Sequence, residues 1–191
     1  SACEMVTEIM QYMVDSVKMK PYEADALYSG IMMDTNNFSN RTGVRTFEAA
    51  AYLRRCGVDI IKVKKWFQSD LESFNMIADI VKSAEIVNES IAIAMYNDDK
   101  SKDVSLICAK AADELLTISD VTASFVLGNT GEKICISGRS IGDINVQVIL
   151  EKLGGGGHIT LAGAQVEGMT IEEVKQELIT RINEYFAEIE N

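Results

Sequence analysis

The sequence predicts an α/β protein with a mostly helical first region and a second region in which strands and helices alternate. In the first region, apolar residues recur three to four positions apart between capping residues, which is typical of amphipathic helices. In the second, runs rich in β-branched residues alternate with helical patterns. We therefore expect a first domain at 1–69, a linker helix at 70–84, and a second domain at 85–191 containing a mixed sheet.

The first region predicts four helices. In the first helix, Met5, Ile9 and Met13 recur at helical spacing. Pro21 suits the first turn of the second helix, and Thr46 is predicted to cap the third. The expected helices run from Ser1 to about Val17, from Pro21 to Asp34, from Phe47 to Cys56, and from Asp59 towards Phe67.

The second region predicts strands separated by helices. The expected strands are Glu85–Tyr96, Thr122–Leu127, Lys133–Ser137 and Gln165–Val166. The expected helices are Asp70–Ala84, Lys102–Leu116 and Asn145–Leu153, followed by a closing helix. Thr170 is predicted to cap that closing helix, with Glu173 in its first turn. An apolar stripe on it is expected to be core or a dimer contact: Val174, Leu178, Ile182, Tyr185 and Ile189.

Composition indicates a folded globular chain, since 47% of its residues are hydrophobic and only one is proline. No apolar run approaches the roughly 20 residues of a membrane-spanning helix, and no signal peptide is visible. None of the four cysteines forms a CxxC pair. The cysteine pattern therefore indicates reduced, buried thiols in a cytoplasmic protein rather than a zinc site.

The net charge of −11 is concentrated in the second region, because residues 1–84 carry 10 basic and 11 acidic side chains whereas residues 85–191 carry 8 and 18. Only 41–65 is locally basic, with 7 basic and 2 acidic residues, and those side chains also suit a solvated helix face. Proteins that bind long nucleic acids need an extended basic face. The charge pattern therefore favours a small phosphorylated ligand over long DNA or RNA.

The run Gly154–Gly157 followed by His158 is the strongest functional signal. Glycine loses more backbone entropy on folding than any other residue, so four in succession indicate that the backbone comes very close to another group. Bare peptide N–H groups would cradle an anion such as phosphate, and a helix or nest after the run would add positive potential. His158 is the only histidine. The alternative is a flexible connector in which His158 has no role.

Asp34 and Arg139 are two further candidates. Asp34 separates an apolar stretch from a polar one, which suits either a helix cap or a metal ligand at the rim of a core. Arg139 stands between Gly138 and Ser140, in a predicted turn at a strand end. A guanidinium there suits bidentate phosphate binding, and an exposed arginine without a ligand is the alternative.

Several segments closely resemble the DHH phosphoesterase superfamily. Residues 136–140 (ISGRS), 144–153 (INVQVILEKL) and 154–164 (GGGGHITLAGA) resemble its DHH-associated domain. Residues 30–35 (GIMMDT) and 41–47 (RTGVRTF) resemble the end of its catalytic DHH domain. The resemblance covers nearly the whole chain and is strongest to the cyclic-di-AMP phosphodiesterases.

That resemblance implies hydrolysis of cyclic di-AMP to pApA in a cleft between a metal-bearing domain and the domain with the glycine run. Asp34 would ligate one of two divalent ions, usually manganese. Arg139, His158 and the glycines Gly154, Gly155, Gly156 and Gly157 would bind phosphate. Further contacts would come from Arg41, Thr42, Ser137 and Asn145. Strand-end capping is at least an equal alternative for Ser137 and Asn145. Arg45 would face the same cleft or pair with Glu48.

Two other functions stay open. One is the oligoribonuclease and pAp-phosphatase branch of the same superfamily, which acts on linear substrates. The other is a non-catalytic module that binds cyclic dinucleotides. Competition between linear and cyclic dinucleotides in one assay distinguishes the oligoribonuclease and pAp-phosphatase branch from the cyclic-di-AMP phosphodiesterases. A non-catalytic module is distinguished from both because it binds the nucleotide without turnover.

The sequence departs from the superfamily in one respect, because the DHH motif that names it is absent. Asp34 is then the one metal ligand that the resemblance supplies. We therefore expect a fragment of a longer, membrane-anchored protein with a cytoplasmic catalytic region, and little or no turnover by the fragment itself. We also expect homodimerisation, because a truncated domain exposes apolar surface.

Overall fold

The computed structural model describes residues 1–13, 19–97 and 103–189. They form two compact units, one up to Ser69 and one from Asp70 onwards. The predicted α/β class with a mixed sheet is confirmed. Within the described residues, no helix is both long and apolar enough to cross a bilayer.

The first unit contains helices only, as far as the structure describes it. They are α1 (Ala2–Tyr12), α2 (Pro21–Asp34), α3 (Val44–Arg55) and α4 (Ile60–Trp66). Their core is built from buried aliphatic residues on α2 to α4 and the turn before α4: Ala24, Ile31, Ala49, Leu53, Val58 and Val63. The predicted extension of α1 to Val17 lies outside the described residues.

The cap of α3 differs from the prediction. The helix begins at Val44 with Gly43 as its N-cap, so Thr46 lies in the first turn instead of before it. The Thr46 hydroxyl accepts a hydrogen bond from the Gly43 N–H at 3.1 Å and donates one to Glu4 at 3.0 Å. Thr46 therefore closes the helix start from inside and ties α3 to α1.

The second unit is a six-stranded sheet with helices on both faces. Its strands are β1 (Glu85–Val87), β2 (Ile91–Tyr96), β3 (Ala123–Asn129), β4 (Ile134–Ser140), β5 (Gly156–His158) and β6 (Leu161–Val166). Its helices are α5 (Leu71–Lys82), α6 (Val104–Leu115), α7 (Val146–Glu151) and α8 (Ile171–Ile189). The strand order is β1-β2-β3-β4-β6-β5, with β2 and β3 parallel and every other pair antiparallel.

Alternation along the strands divides the core between the two faces. On β2, Ile91 and Ile93 pack with α7 and α8, whereas Ala92 and Ala94 pack with α5 and α6. The predicted stripe on α8 is buried as far as Tyr185, but Ile189 is 62% exposed at the end of that helix.

The predicted strand at Glu85–Tyr96 is in fact the hairpin β1–β2. Asn88 and Glu89 adopt left-handed conformations with φ of 46° and 66°, which reverses the chain between two stretches of similar composition. The start of α6 predicted at Lys102 lies outside the described residues.

The Ser137–Ser140 segment, predicted as a turn, continues β4, which pairs with β3 on one side and β6 on the other. Gly138 fits this strand because it lies under two apolar side chains. A Cβ atom there would come within 3.0 Å of Leu150 Cδ1 and 3.1 Å of Phe125 Cε1. The missing side chain therefore serves core packing rather than a turn.

Candidate functional site

The register of the sheet places His158 and Arg139 in one row. His158 on β5 pairs with Leu161 on β6, and Leu161 pairs with Arg139 on β4. Directly opposed residues of antiparallel strands project from the same face of a sheet. The sheet therefore brings the chain's only histidine and this arginine to one face, two strands apart.

This face is open over the last two strands. On β6, Ala162 and Ala164 are buried in the core with α7 and α8. Leu161 and Gly163 alternate with them and are exposed, with 45% of Leu161 accessible. His158 is likewise exposed. The sheet thus presents an accessible surface beyond α6 that carries His158, and Arg139 lies at its edge on the same face with 12% of its side chain exposed.

A cavity of about 610 Å³ lies on the same face, and its lining residues do not include Arg139 or His158. Its lining includes Ser105, Ser137, Gly155, Gly156, Gln165 and Glu167. Ser137 lies two residues before Arg139 on β4, so the two side chains project to the same side. The cavity therefore joins part of the glycine run to the strand that carries Arg139, as one continuous concave surface.

Arg139 is held by two hydrogen bonds. Its Nε donates to Asp113 Oδ1 at 2.9 Å, and its Nη1 donates to the Gly138 carbonyl at 2.9 Å. Only 12% of the arginine side chain is exposed, against 47% of Asp113. The guanidinium is therefore ordered by the protein, which distinguishes Arg139 from an unheld surface arginine.

The glycine run has four different environments. Gly154 follows α7 with φ of 76°, and the Gly155 N–H donates to the Leu150 carbonyl at 2.9 Å, so this pair ends the helix. A Cβ on Gly155 would lie 2.3 Å from the Gly163 oxygen, and one on Gly157 would lie 2.4 Å from the Leu161 oxygen.

Gly156, by contrast, has no atom within 4 Å of the position its Cβ would occupy. The close approach that the run predicts is therefore made mostly to the neighbouring strand β6. The expected helix or nest after the run is replaced by strand β5, which begins within it. The run permits tight strand pairing at Gly155 and Gly157 and leaves Gly154 and Gly156 facing open space.

Asn145 serves a structural role next to this site. Its Oδ1 accepts hydrogen bonds from the Gln147 and Val148 N–H groups at 3.1 and 3.3 Å, which caps α7. The next residue, Val146, donates its N–H to the Ile159 carbonyl at 3.0 Å. Asn145 thus caps the start of helix α7 instead of a strand end, and its neighbour Val146 anchors the turn between β5 and β6.

Sequence reasoning missed three contributors. Asp113 holds Arg139 from α6, and Ser105 and Cys135 line the cavity. A hydrogen bond with Cys135, together with burial, raises the pKa of the Cys108 thiol above its usual range. No sequence spacing indicates these contacts, because each joins α6 to β4.

In the first unit, Asp34 is the last residue of α2 and is exposed. Its Oδ2 accepts a hydrogen bond from the Ser1 hydroxyl at 2.5 Å. Arg41 is exposed with φ of 52°, and Thr42 is partly buried. Arg45 pairs with Glu8 of α1 through both carboxylate oxygens instead of with Glu48, so that alternative is wrong.

The donor set around Asp34 does not by itself fit a dinuclear metal centre. Two hard divalent ions need roughly four to six protein ligands, mostly carboxylates and histidines. In the part of the chain that the structure describes, no three His, Cys, Asp or Glu side chains come together as a metal site. The described residues of this chain therefore do not make up a dinuclear metal centre.

Comparison with known proteins gives close relatives over almost the whole chain. It is 45% identical over 187 residues to the cyclic-di-AMP phosphodiesterase GdpP of Geobacillus thermodenitrificans, and 44% identical over 187 residues to the cyclic-di-AMP phosphodiesterase PdeA of Listeria monocytogenes. Each alignment covers 97% of this chain but only 28% of the relative. The chain thus corresponds to a little over a quarter of either protein.

Among solved structures, an exopolyphosphatase-related protein from Bacteroides fragilis superposes with a TM-score of 0.88. The match covers all of this chain and 58% of that one, at 19% identity, and shows a shared fold. A family model described as the DHHA1 domain matches residues 88–188, more than half of the chain, and the chain therefore belongs to the DHHA1 domain family.

Proposed function

We propose that the second unit binds a phosphate of a cyclic dinucleotide, and that the protein to which this chain corresponds hydrolyses cyclic di-AMP to pApA. The observation that carries the proposal is the row that aligns Arg139 and His158 on one sheet face, which is exposed at His158 and carries a cavity nearby. The 44–45% identity to two phosphodiesterases of cyclic di-AMP supports the choice of ligand.

Each element of the row has a distinct role. Arg139 supplies a permanent positive charge with planar donors suited to phosphate oxygens. His158 supplies a ring N–H for a second oxygen and can hold a proton near a leaving oxygen. Ser137 and the peptide groups around Gly156 supply neutral donors from the cavity wall. This surface suits a small ligand with few charges, consistent with the acidity of the chain as a whole.

The metal chemistry belongs to the longer protein in this proposal. Asp34 would hold one of two divalent ions, with manganese as the expected metal, and the chemistry that such ions supply is Lewis-acid activation of water. Because Asp34 needs further ligands, we propose that this chain alone binds nucleotide without turnover. We further propose a homodimer and a cytoplasmic catalytic region within a membrane-anchored protein.

Isothermal titration calorimetry of the chain with cyclic di-AMP and with pApA, each with and without manganese, tests this function. Arg139→Ala should weaken binding roughly 10- to 100-fold, because charge-assisted hydrogen bonds are lost. His158→Ala should weaken it roughly 5- to 10-fold. Arg181→Ala is the matched control, since Arg181 lies on α8, which packs on the other face of the sheet.

Metal-independent binding that Arg139→Ala reduces and Arg181→Ala does not would support the proposed phosphate site. Manganese-dependent hydrolysis by the pure chain, abolished by Asp34→Ala, would overturn the proposed lack of turnover. Absence of binding to both nucleotides would overturn the ligand assignment. Preference for pApA over the cyclic form would favour the oligoribonuclease and pAp-phosphatase branch instead.

A further inference from the structure

The guanidinium of Arg139 is fixed from the helix above it. Asp113 on α6 accepts a hydrogen bond from Arg139 Nε at 2.9 Å, across 26 residues of sequence. The Gly138 carbonyl accepts a second bond from Nη1 at 2.9 Å. Two contacts to different atoms of a planar group restrict its rotation as well as its position.

The position of α6 on the sheet is itself fixed by a hydrogen bond next to Asp113. The Ser124 hydroxyl donates to the Ala112 carbonyl at 2.7 Å, and Ser124 is fully buried. Ser124 is the residue of β3 directly opposite Arg139 on β4. The residue after Ala112 is Asp113, so this buried bond holds the carboxylate of Asp113 over the row that contains Arg139.

The two bonds leave most N–H donors of the guanidinium without a protein partner. Arginine has five N–H donors, and Nε together with one hydrogen of Nη1 accounts for two of them. Among the described residues, Arg139 forms no other hydrogen bond or ion pair. Its remaining three donors are on the two terminal nitrogens, the end of the fork that binds phosphate oxygens.

We propose that Asp113 is a positioning residue, which holds Arg139 in the orientation that binds the ligand phosphate. This inference rests on the proposed function and adds a residue to it. Asp113 acts through Arg139 and does not itself touch the ligand. Ordering a long side chain in advance removes an entropy loss that binding would otherwise incur, and this is expected to improve affinity about 5- to 10-fold.

The opposing possibility is that Asp113 competes with the phosphate for the same guanidinium. Geometry argues against competition, because Asp113 accepts from Nε–H on one edge of the guanidinium, whereas the end-on hydrogens of Nη1 and Nη2 point away from that edge. Asp113 is also 47% exposed, so solvent screens its repulsion of a bound phosphate. The two roles predict opposite changes in affinity when the carboxylate is removed. Loss of a positioning carboxylate weakens ligand binding, whereas loss of a competing carboxylate strengthens it.

Calorimetry with cyclic di-AMP on Asp113→Ala, Asp113→Asn and Glu114→Ala chains tests the proposal. Asp113→Ala should weaken binding about 5- to 10-fold, and Asp113→Asn should restore most of the loss because its amide oxygen still accepts from Nε. Glu114→Ala removes an exposed carboxylate from the next position of α6 and should bind like the unsubstituted chain. In an Arg139→Ala background, Asp113→Ala should cause no further loss.

The Arg139 Nε–H resonance in NMR supplies a readout independent of affinity. It should be protected from solvent exchange in the unsubstituted and Asp113→Asn chains and lose that protection in Asp113→Ala. Tighter or unchanged binding by Asp113→Ala would overturn the positioning role while leaving the proposed function intact. An equal loss in the Arg139→Ala background would overturn it too. If the unsubstituted chain binds no nucleotide, the proposed function fails and the positioning role fails with it.

Discussion

The hydroxyl of Ser124 donates a 2.7 Å hydrogen bond to the carbonyl of Ala112, which links β3 to α6 inside the core. Among the buried residues of β3, Ser124 is the only polar one, and it is fully buried. Because a buried polar group is costly unless it has a partner, this bond favours one position of α6 along the strand.

Replacing Ser124 by alanine is expected to destabilise the second unit by about 1–3 kcal/mol, because the Ala112 carbonyl loses the hydroxyl that donates to it. Amide hydrogen exchange of α6 measures this locally. Thr180→Ala is the control, since its hydroxyl also donates to a backbone carbonyl, that of Gln176, but on an exposed surface. Equal exchange rates in Ser124→Ala and the unsubstituted chain would show that α6 is held by apolar packing alone.

Alanine should destabilise the chain at Gly155 but not at Gly156. Gly155→Ala would place a Cβ 2.3 Å from the Gly163 oxygen, and strand pairing leaves little room for that backbone atom to move. We expect a loss of about 1–3 kcal/mol. Gly156→Ala meets no atom within 4 Å and should be neutral or slightly stabilising, because alanine restricts the unfolded chain.

The same two variants separate packing from ligand binding. If the peptide groups around Gly156 approach the ligand closely, Gly156→Ala should weaken nucleotide binding in calorimetry while urea unfolding shows a stable chain. Unchanged affinity would confine the role of the run to pairing β5 with β6. A stable Gly155→Ala chain would contradict the packing that the structure describes.

Three helix starts were predictable because their signals are local, whereas the start of α3 was not. Asp59 and Asp70 cap α4 and α5 by accepting hydrogen bonds from the third N–H beyond them, and Pro21 begins α2. The β1–β2 turn was missed because Asn88 and Glu89 do not form one of the glycine-containing pairs that usually mark such turns.

The site was predictable only in part, for a physical reason. The sequence indicated Arg139 and His158 as candidate phosphate-binding residues. Their alignment, however, depends on the register of three strands, which has no local signal. Asp113 contacts Arg139 only because α6 crosses above β4. Glycine patterns report close approach without naming the partner, and here the main partner is β6 of the same sheet.

Asp25 should make the first unit sensitive to acid. Its carboxylate is 2% exposed and accepts hydrogen bonds from Lys62 Nζ and the Asp59 N–H, both at 2.8 Å. These contacts, that with Lys62 foremost, hold the pKa of Asp25 below its usual range. The stabilisation that follows from this lowered pKa is fully present above the pKa of the unfolded state, about 3.9. It is lost as the pH falls through the pKa of the folded state.

Hydrogen exchange at the Asp59 amide should therefore speed up below about pH 4, relative to the trend that intrinsic exchange chemistry sets. The Asp25→Asn variant should exchange faster at pH 7, and its difference from the unsubstituted chain should shrink as the pH falls below about 4. Glu48→Gln alters an exposed carboxylate of the same unit and should preserve the pH dependence. A constant difference between the Asp25→Asn variant and the unsubstituted chain across this range would contradict the ion pair.

Gly128 allows α6 to pack closely on β3, so Gly128→Ala should destabilise the second unit. The added Cβ would lie 2.5 Å from Cys108 Sγ and 2.6 Å from Val104 Cγ1, both on α6. Overpacking of this kind costs about 1–3 kcal/mol, which outweighs the roughly 0.4–1 kcal/mol that alanine contributes by restricting the unfolded chain. Circular dichroism during urea unfolding measures the difference.

Combining Gly128→Ala with Cys108→Ala in one chain tests whether steric contact causes the loss of stability. Removing the sulfur opens space for the new methyl group, so the double variant should lose less stability than the two single losses added together. Gly163→Ala is the control, because its Cβ would meet only the Ile136 oxygen at 3.4 Å, an ordinary contact. Strict additivity of the two substitutions would mean that the cost of Gly128→Ala lies in the strand backbone, and that α6 does not depend on a glycine at this position to reach the sheet.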